Sequence, residues 1–265
     1  MDESRKAVLE DLVAILSASW RDPANKVAVA PRLYPRNRTE AYFVQDRMHD
    51  ELGQGLAGWK VGATSARMRE LDGHDDVIPG RIFVSRSYVG SHHSLPFDQF
   101  PDARIETEFA FRLTAKPHVR EAPWTAAEMK TMMVLHPALE IIGNRYHLDD
   151  ASKAENSLMT IADNGGGIGF VFGDPVDDWQ AIDFRQHLIR LTVAGGAPAD
   201  NFLGEMRCLP TEAAADLVNH LALRGHELQT GDFISTGAAS VPQPFSAGDH
   251  VHADFGALGV IEVVF

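Results

Sequence analysis

Glu106 and Glu108 stand two residues apart in Arg104-Ile105-Glu106-Thr107-Glu108-Phe109-Ala110-Phe111. Apolar Ile105, Thr107, Phe109 and Phe111 alternate with Arg104, Glu106, Glu108 and Ala110, the period-two pattern of a strand with one apolar face, so both carboxylates project from the same side. Like charges at that spacing repel, and a hard divalent cation with oxygen ligands relieves the repulsion directly. The segment alone leaves a second reading open, a solvated strand face carrying two unrelated acids.

Other runs set one charge among apolar, strand-like residues. In Gly58-Trp59-Lys60-Val61-Gly62-Ala63-Thr64-Ser65 the lysine either snorkels to an edge and meets a surface acid, or is partly desolvated with a lowered pKa, fit to exchange protons or hold an anion. Pro137-Ala138-Leu139-Glu140-Ile141-Ile142 places Glu140 where an unpaired carboxylate is costly. Sharing a metal with the glutamate pair removes that cost, and so does pairing with Arg145. Ile161-Ala162-Asp163-Asn164-Gly165 ends in a tight polar turn, where Asp and Asn commonly fix backbone geometry.

The elements that must position these groups follow from periodicity. Val8, Leu9, Leu12, Val13, Ile15, Leu16 and Trp20 recur at helical spacing in a first helix that Pro23 ends, and 39–52 predicts a second. Between them 26–37, with Pro31 and Pro35, reads as an extended crossing. From Gly58 onward, β-type runs punctuated by Gly and Pro predict strands over 59–63, 81–89, 104–113, 139–142, 169–172, 187–193, 232–235 and 260–265. Two further helices are expected over 125–133 and 212–224. The fold class is therefore α+β: a helical N-terminal portion, 1–56, leading into a mostly β core, 57–265, as one compact unit.

Composition narrows the function. With 265 residues and 45% hydrophobic content the chain can bury a sizeable core. Its net charge of -13 argues against a phosphate-tracking nucleic-acid surface, and an anionic substrate then needs local positive charge or a metal. Cys208 is the single cysteine, which excludes an intramolecular disulfide and a Cys-based zinc cluster and fits a reducing cytosol. The first twenty residues mix acids and bases with apolar residues, unlike a secretion signal, and no apolar run is long enough for a membrane span. Asn164-Gly165-Gly166-Gly167-Ile168-Gly169 lacks the full dinucleotide fingerprint, and neither a Walker loop, H-E-x-x-H nor G-x-S-x-G occurs. His250 and His252 share a strand face beside Asp249 and Asp254, which reads better as a polar face than as a metal site.

Taken in order, these segments resemble the fumarylacetoacetate hydrolase superfamily and, within it, the hydratase/decarboxylase branch of aromatic meta-cleavage pathways. The resemblance spans nearly the whole chain. It runs from Glu40-Ala41-Tyr42-Phe43-Val44-Gln45 through the Lys60, Glu106/Glu108, Glu140 and Asp163 segments to Gly231-Asp232-Phe233-Ile234-Ser235-Thr236-Gly237, Gly248-Asp249 and Leu258-Gly259. It implies that Glu106, Glu108 and Glu140 bind Mg2+ or Mn2+ without an organic cofactor, that Lys60 is the active-site lysine, and that the core is a mixed β-roll. Arg145, Asp163 and Thr236 are then expected to support the ligands or touch the substrate, a small anionic 2-oxo or 2-hydroxy acid. A cytoplasmic homo-oligomer is implied too, with neither nucleic acid nor membrane as partner.

Departures from the family pattern bear on the reaction. Many family hydratases carry an aspartate where this chain has Ile78, and decarboxylase relatives tend to be apolar there. Gly166 and Gly167 replace a small-hydroxyl pair, and Thr236-Gly237-Ala238 replaces Thr-Gly-Ser. The His/Glu dyad of the superfamily's carbon-carbon hydrolases is not recognisable, although His49, Asp50 and Glu51 adjoin. The expectation is a lyase, with a 2-oxopent-4-enoate type hydratase ranked above a 4-oxalocrotonate type decarboxylase and an acylpyruvate-type hydrolase below both. An inactive relative serving as the structural partner of a second pathway lyase is the reading from a different class.

Overall fold

The computed structural model describes residues 1–24 and 26–265. Two helices, α1 (Glu3–Arg21) and α2 (Arg38–Leu52), flank a crossing that holds strand β1 (Val27–Ala28). Strand β2 (Leu56–Gly62), helix α3 (Ala66–Asp72), strand β3 (Ile78–Phe83) and the short strands β4 (Ser87–Val89) and β5 (His92–Ser94) follow. The long strands β6 (Arg104–Leu113) and β7 (Met133–Ile142) enclose helix α4 (Ala126–Met129), and β8 (Tyr146–His147) with helix α5 (Lys153–Ala162) leads to β9 (Gly167–Phe172). The remainder runs β10 (Arg190–Val193), α6 (Pro210–Leu223), β11 (Phe233–Ala238), β12 (Gln243–Pro244), β13 (His250–Asp254) and β14 (Val260–Val264).

The main sheet has the order β3-β2-β11-β6-β7-β9-β4, with β12 added beside β6. It is mixed, because β11 runs parallel to β2 but antiparallel to β6. A second sheet, β10-β13-β14-β5, lies apart from it in pairing. This is the α+β arrangement expected, with N-terminal helices and a mixed β core. The helices are tied to the core by specific bonds: Trp20 of α1 donates its indole N–H to Asp163 at 2.8 Å, and the Gln45 amide of α2 donates to the Pro79 and Ile161 carbonyls at 3.0 and 2.8 Å. Apolar side chains of α1 such as Leu9, Leu12 and Leu16 are fully buried in the same cluster as Ile105 and Leu139 of the sheet.

Three expectations change. The run 81–89 is two strands, because a 3-10 turn at Val84–Arg86 carries the chain from one edge of the main sheet, β3, to the other, β4. The helix at 125–133 stops at Met129, and β7 starts at Met133 rather than at 139. Pro137 is tolerated inside β7 because its carbonyl accepts from Gly173 N at 2.8 Å, so the missing N–H faces the side where β9 has ended. Helices α3 and α5 lie outside the expected set. A capping box marks the second of these: the Ser152 side chain accepts from Glu155 N, and the Glu155 carboxylate accepts from Ser152 N.

Candidate metal and substrate site

Register builds the site. Glu106 of β6 lies directly opposite Glu140 of β7, and Glu108 lies opposite Ala138. Residues opposed across antiparallel strands point to the same face, so the third carboxylate joins the pair by strand alignment. Lys60 of β2 pairs in register with Ser235 of β11, which in turn faces Ala110 of β6, placing the lysine on that same face. One carboxylate oxygen from each of Glu106, Glu108 and Glu140 lies within 4.8 Å of the others, and all three residues are buried.

The electrostatics favour a cation. Burial pushes the Glu106 and Glu108 carboxyls well above the usual range, and the Glu140 charge pushes them further, with Glu108 also raised by its hydrogen bond to Glu140. Lys60 Nζ stands 3.3 Å from Glu140 Oε1, and that oxygen has no aligned hydrogen-bond donor. With all three carboxylates ionised against one ammonium, two negative charges would stand in a desolvated place, and a divalent ion would balance them. An all-oxygen donor set suits a hard ion such as Mg2+ or Mn2+. No other such group of His, Cys, Asp and Glu ligands occurs among the described residues. His252, one of the two late histidines, instead meets Glu262 at 3.2 Å.

Lys60 departs from one sequence reading. Burial alone lowers a lysine pKa, but the charges of Glu140, Glu108 and Glu106 outweigh it and hold Lys60 above its ordinary value. Its Nζ donates to the Gly165 carbonyl at 2.9 Å. The turn that presents this carbonyl is pinned by Asn164, whose side chain accepts from Arg81 N at 2.6 Å and donates to Arg81 O at 2.8 Å. Asn164 and Gly165 both have positive φ, 58° and 71°, which their types tolerate.

The expected supports divide. Asp163 accepts from Trp20 Nε1 and from the backbone N of Arg145, both at 2.8 Å, and burial raises its carboxyl to about 6. Arg145 does not pair with Glu140: its Nη2 donates to the Gln99 carbonyl at 3.5 Å and its guanidinium lies over the Trp20 ring. The Thr236 hydroxyl donates to the Phe109 carbonyl at 2.5 Å, so it serves the sheet. The hydroxyl that reaches a carboxylate of the cluster is that of Ser235, which donates to Glu108 Oε2. Sequence reasoning passed over it; its signal is position, since it precedes the Thr-Gly by one residue on the strand beside Lys60.

The departures acquire structural reasons. A Cβ on Gly167 would lie 2.4 Å from Glu140 Oε1, so glycine there makes room for the carboxylate. Ala238 faces Glu108 across the ladder, where the bulge between Ser235 and Ala238 leaves Ser235 to supply the hydroxyl. His49 of α2 stacks on Phe83 of β3 and lines no wall of the carboxylate cavity. The histidine that does is His74, whose Nδ1 is 2.6 Å from Ser157 Oγ.

Two connected hollows open on the cluster. A polar lobe of about 440 Å3 is walled by Arg104, Asp102, Asn144 and Asp163, and a smaller lobe of about 230 Å3 by Met68, Phe202, Met206 and Cys208. Lys60, His74 and Glu106 line both. Cys208 is a buried neutral thiol, raised by burial to about 12, that donates to the Thr236 carbonyl.

Comparison with known proteins places these features. No protein-family model matches the chain. It is 30% identical over 248 residues to 2-oxo-hept-4-ene-1,7-dioate hydratase of Escherichia coli, covering 88% of each chain. It is 25% identical over 235 residues to 2-keto-4-pentenoate hydratase of Paraburkholderia xenovorans LB400, covering 86% of this chain and 84% of the relative. With 4-oxalocrotonate decarboxylase of Pseudomonas putida it shares 24% identity over 236 residues, covering 85% and 84%. Among solved structures, 4-oxalocrotonate decarboxylase from Pseudomonas putida G7, complexed with magnesium and adipate, superposes with a TM-score of 0.82 at 21% identity and 98% coverage of both chains. A fumarylacetoacetate hydrolase family protein from Yersinia pestis CO92 gives 0.51 at 15% identity, covering 78% of this chain and 91% of that one.

Proposed function

Because this chain belongs to the hydratase/decarboxylase branch of the fumarylacetoacetate hydrolase superfamily, we propose that it is a divalent-metal-dependent lyase of 2-hydroxy-dienoates and 2-oxo-enoates, with hydration of a 2-oxopent-4-enoate type acid as its favoured reaction. The observation that carries this reading is the buried Glu106, Glu108 and Glu140 set facing a single lysine. Those three residues would hold Mg2+ or Mn2+, which would supply a Lewis acid for the 2-oxo acid end of the substrate. Lys60 adds a fixed positive charge beside the developing enolate oxygen, in a site where burial strengthens such contacts. Ser235 fixes the rotamer of Glu108, and the Asn164–Gly165 turn fixes Lys60. Hydration also needs a group that delivers a proton to carbon. Ile78 cannot, and His74, which lines both lobes, is assigned that role.

Decarboxylation is the second reading, favoured by Ile78: an apolar, buried side chain lines the polar lobe where many family hydratases carry an aspartate. Both reactions share one enolate, so substrate tests separate them. Magnesium-loaded protein is incubated with 2-hydroxypenta-2,4-dienoate and, separately, with 4-oxalocrotonate, following ultraviolet absorbance and CO2 release. Loss of the dienoate without CO2 identifies the hydratase, and CO2 from 4-oxalocrotonate identifies the decarboxylase. Turnover of neither returns the hydrolase and inactive-partner readings. Retention of metal binding and turnover by Glu106→Gln and Glu108→Gln removes the assigned ligand set. A homo-oligomer is part of the same proposal, and light scattering reads it.

A further inference from the structure

The polar lobe carries a positive charge that its own acids leave unmatched. Arg104 precedes Glu106 by two residues on β6, so the two side chains leave the same sheet face about 7 Å apart along the strand. Glu106 is buried and Arg104 is exposed, so the line from carboxylate cluster to arginine runs from the floor of the lobe to its mouth. Each acid along it already has partners. Asp102 meets Lys26 Nζ at 3.4 Å, Asp163 accepts from Trp20 and the Arg145 backbone, and Glu106 belongs to the set that faces Lys60. Lys60 in turn is held by Glu140 and the Gly165 carbonyl, and His74 meets Ser157. Among the described residues no acid or carbonyl meets the Arg104 guanidinium.

An arginine fork matches a carboxylate bidentately, and a neutral chain end gives it nothing to bind. We infer that Arg104 receives a second carboxylate of the substrate, so that the acid this chain takes is a dicarboxylate, held by the carboxylate cluster and its cation at one end and by Arg104 at the other. The inference rests on the metal-site reading above and narrows its 2-oxo-enoates to those with a carboxylate at the far end, of which 2-oxopent-4-enoate is the truncated and weaker-binding form. The 440 Å3 of the lobe leaves room for that extension.

Calorimetric titration of the magnesium-loaded full chain with 2-oxopentanoate and with 2-oxoadipate tests it. The two ligands present the same 2-oxo acid, and one alone has a far carboxylate. The expected result is at least about tenfold tighter binding of 2-oxoadipate, the size of one charge-assisted hydrogen bond. Arg104→Gln is expected to abolish the preference and Arg104→Lys to keep part of it, with 2-oxopentanoate binding in each variant reporting an intact carboxylate cluster. Equal affinities in the unsubstituted chain, or a preference that survives Arg104→Gln, overturn the assignment and leave the metal site standing. If neither acid binds, the metal-site reading fails and this inference with it.

Discussion

Glu108 owes its position in part to a partner that does no chemistry itself. That partner is Ser235, whose hydroxyl is fully buried and donates to Glu108 Oε2. Groups that orient metal ligands commonly change affinity by about 10–100-fold when removed. Ser235→Ala is therefore expected to weaken Mg2+ binding by that factor, measured by calorimetry, while Thr236→Ala leaves Mg2+ affinity within about twofold because its hydroxyl serves the Phe109 carbonyl. An equal loss in both variants would assign the effect to strand β11 as a whole. Lys60 adds a second lesson at this scale. Its isolation in an apolar run suggested a lowered pKa, yet the charge it meets decides the direction, and that charge comes from three residues far away in sequence.

At the level of elements, the turn between α5 and β9 and the ladder between β6 and β7 do the positioning. Gly167 begins β9 with φ of -84°, a conformation any residue adopts, so its requirement is space: an added Cβ meets Glu140 Oε1 at 2.4 Å and Phe170 Cζ at 2.7 Å. Gly167→Ala is expected to destabilise by about 1–3 kcal/mol, the range for overpacking, and to weaken Mg2+ binding by displacing Glu140. Gly166→Ala separates the two effects. Its φ of 77° costs an alanine about 1–2 kcal/mol, but the nearest foreign atom to its Cβ is 3.7 Å away, so metal affinity should hold. Denaturant unfolding and calorimetry on both variants check the pair.

Over the whole molecule, cation binding and protonation should both be visible in stability. An ion bound by the folded chain alone stabilises it by about 2.7 kcal/mol at a hundred times its Kd, so Mg2+ should raise the melting temperature of chelator-treated protein and fail to do so in Glu108→Gln. Acid acts at a different place. His220 packs beside Tyr42, and burial together with the Arg224 charge holds its pKa down to about 4. The unfolded chain takes up this proton near 6.5, which the folded chain refuses until about 4, so the His220 contribution to stability falls as pH drops through that window. The stability difference between the unsubstituted chain and His220→Gln should shrink across it, as denaturant melts at stepped pH would show. Asp46 behaves differently: burial would raise it, but His226, Arg224 and Arg81 hold it far below the carboxylate range, so its contribution persists to stronger acid. No helix among the described residues is long and apolar enough to cross a membrane.

What the sequence by itself determined is local or ordered along the chain. Alternation in β6 put Glu106 and Glu108 on one face, apolar runs flagged Lys60 and Glu140 as charges needing compensation, and their succession pointed to the family. Periodicity also announced α1, α2 and α6. It misjudged 81–89 and 125–133, where the chain turns to reach a distant partner strand, because a strand's end is set by what it pairs with. Only the tertiary structure decided that Glu140 stands opposite Glu106, that Lys60 meets three carboxylates, that Ser235 rather than Thr236 reaches one of them, and that His74 and Arg104 share a cavity with them. Register, desolvation and close approach are properties of segments brought together from across the chain, and no single segment carries them.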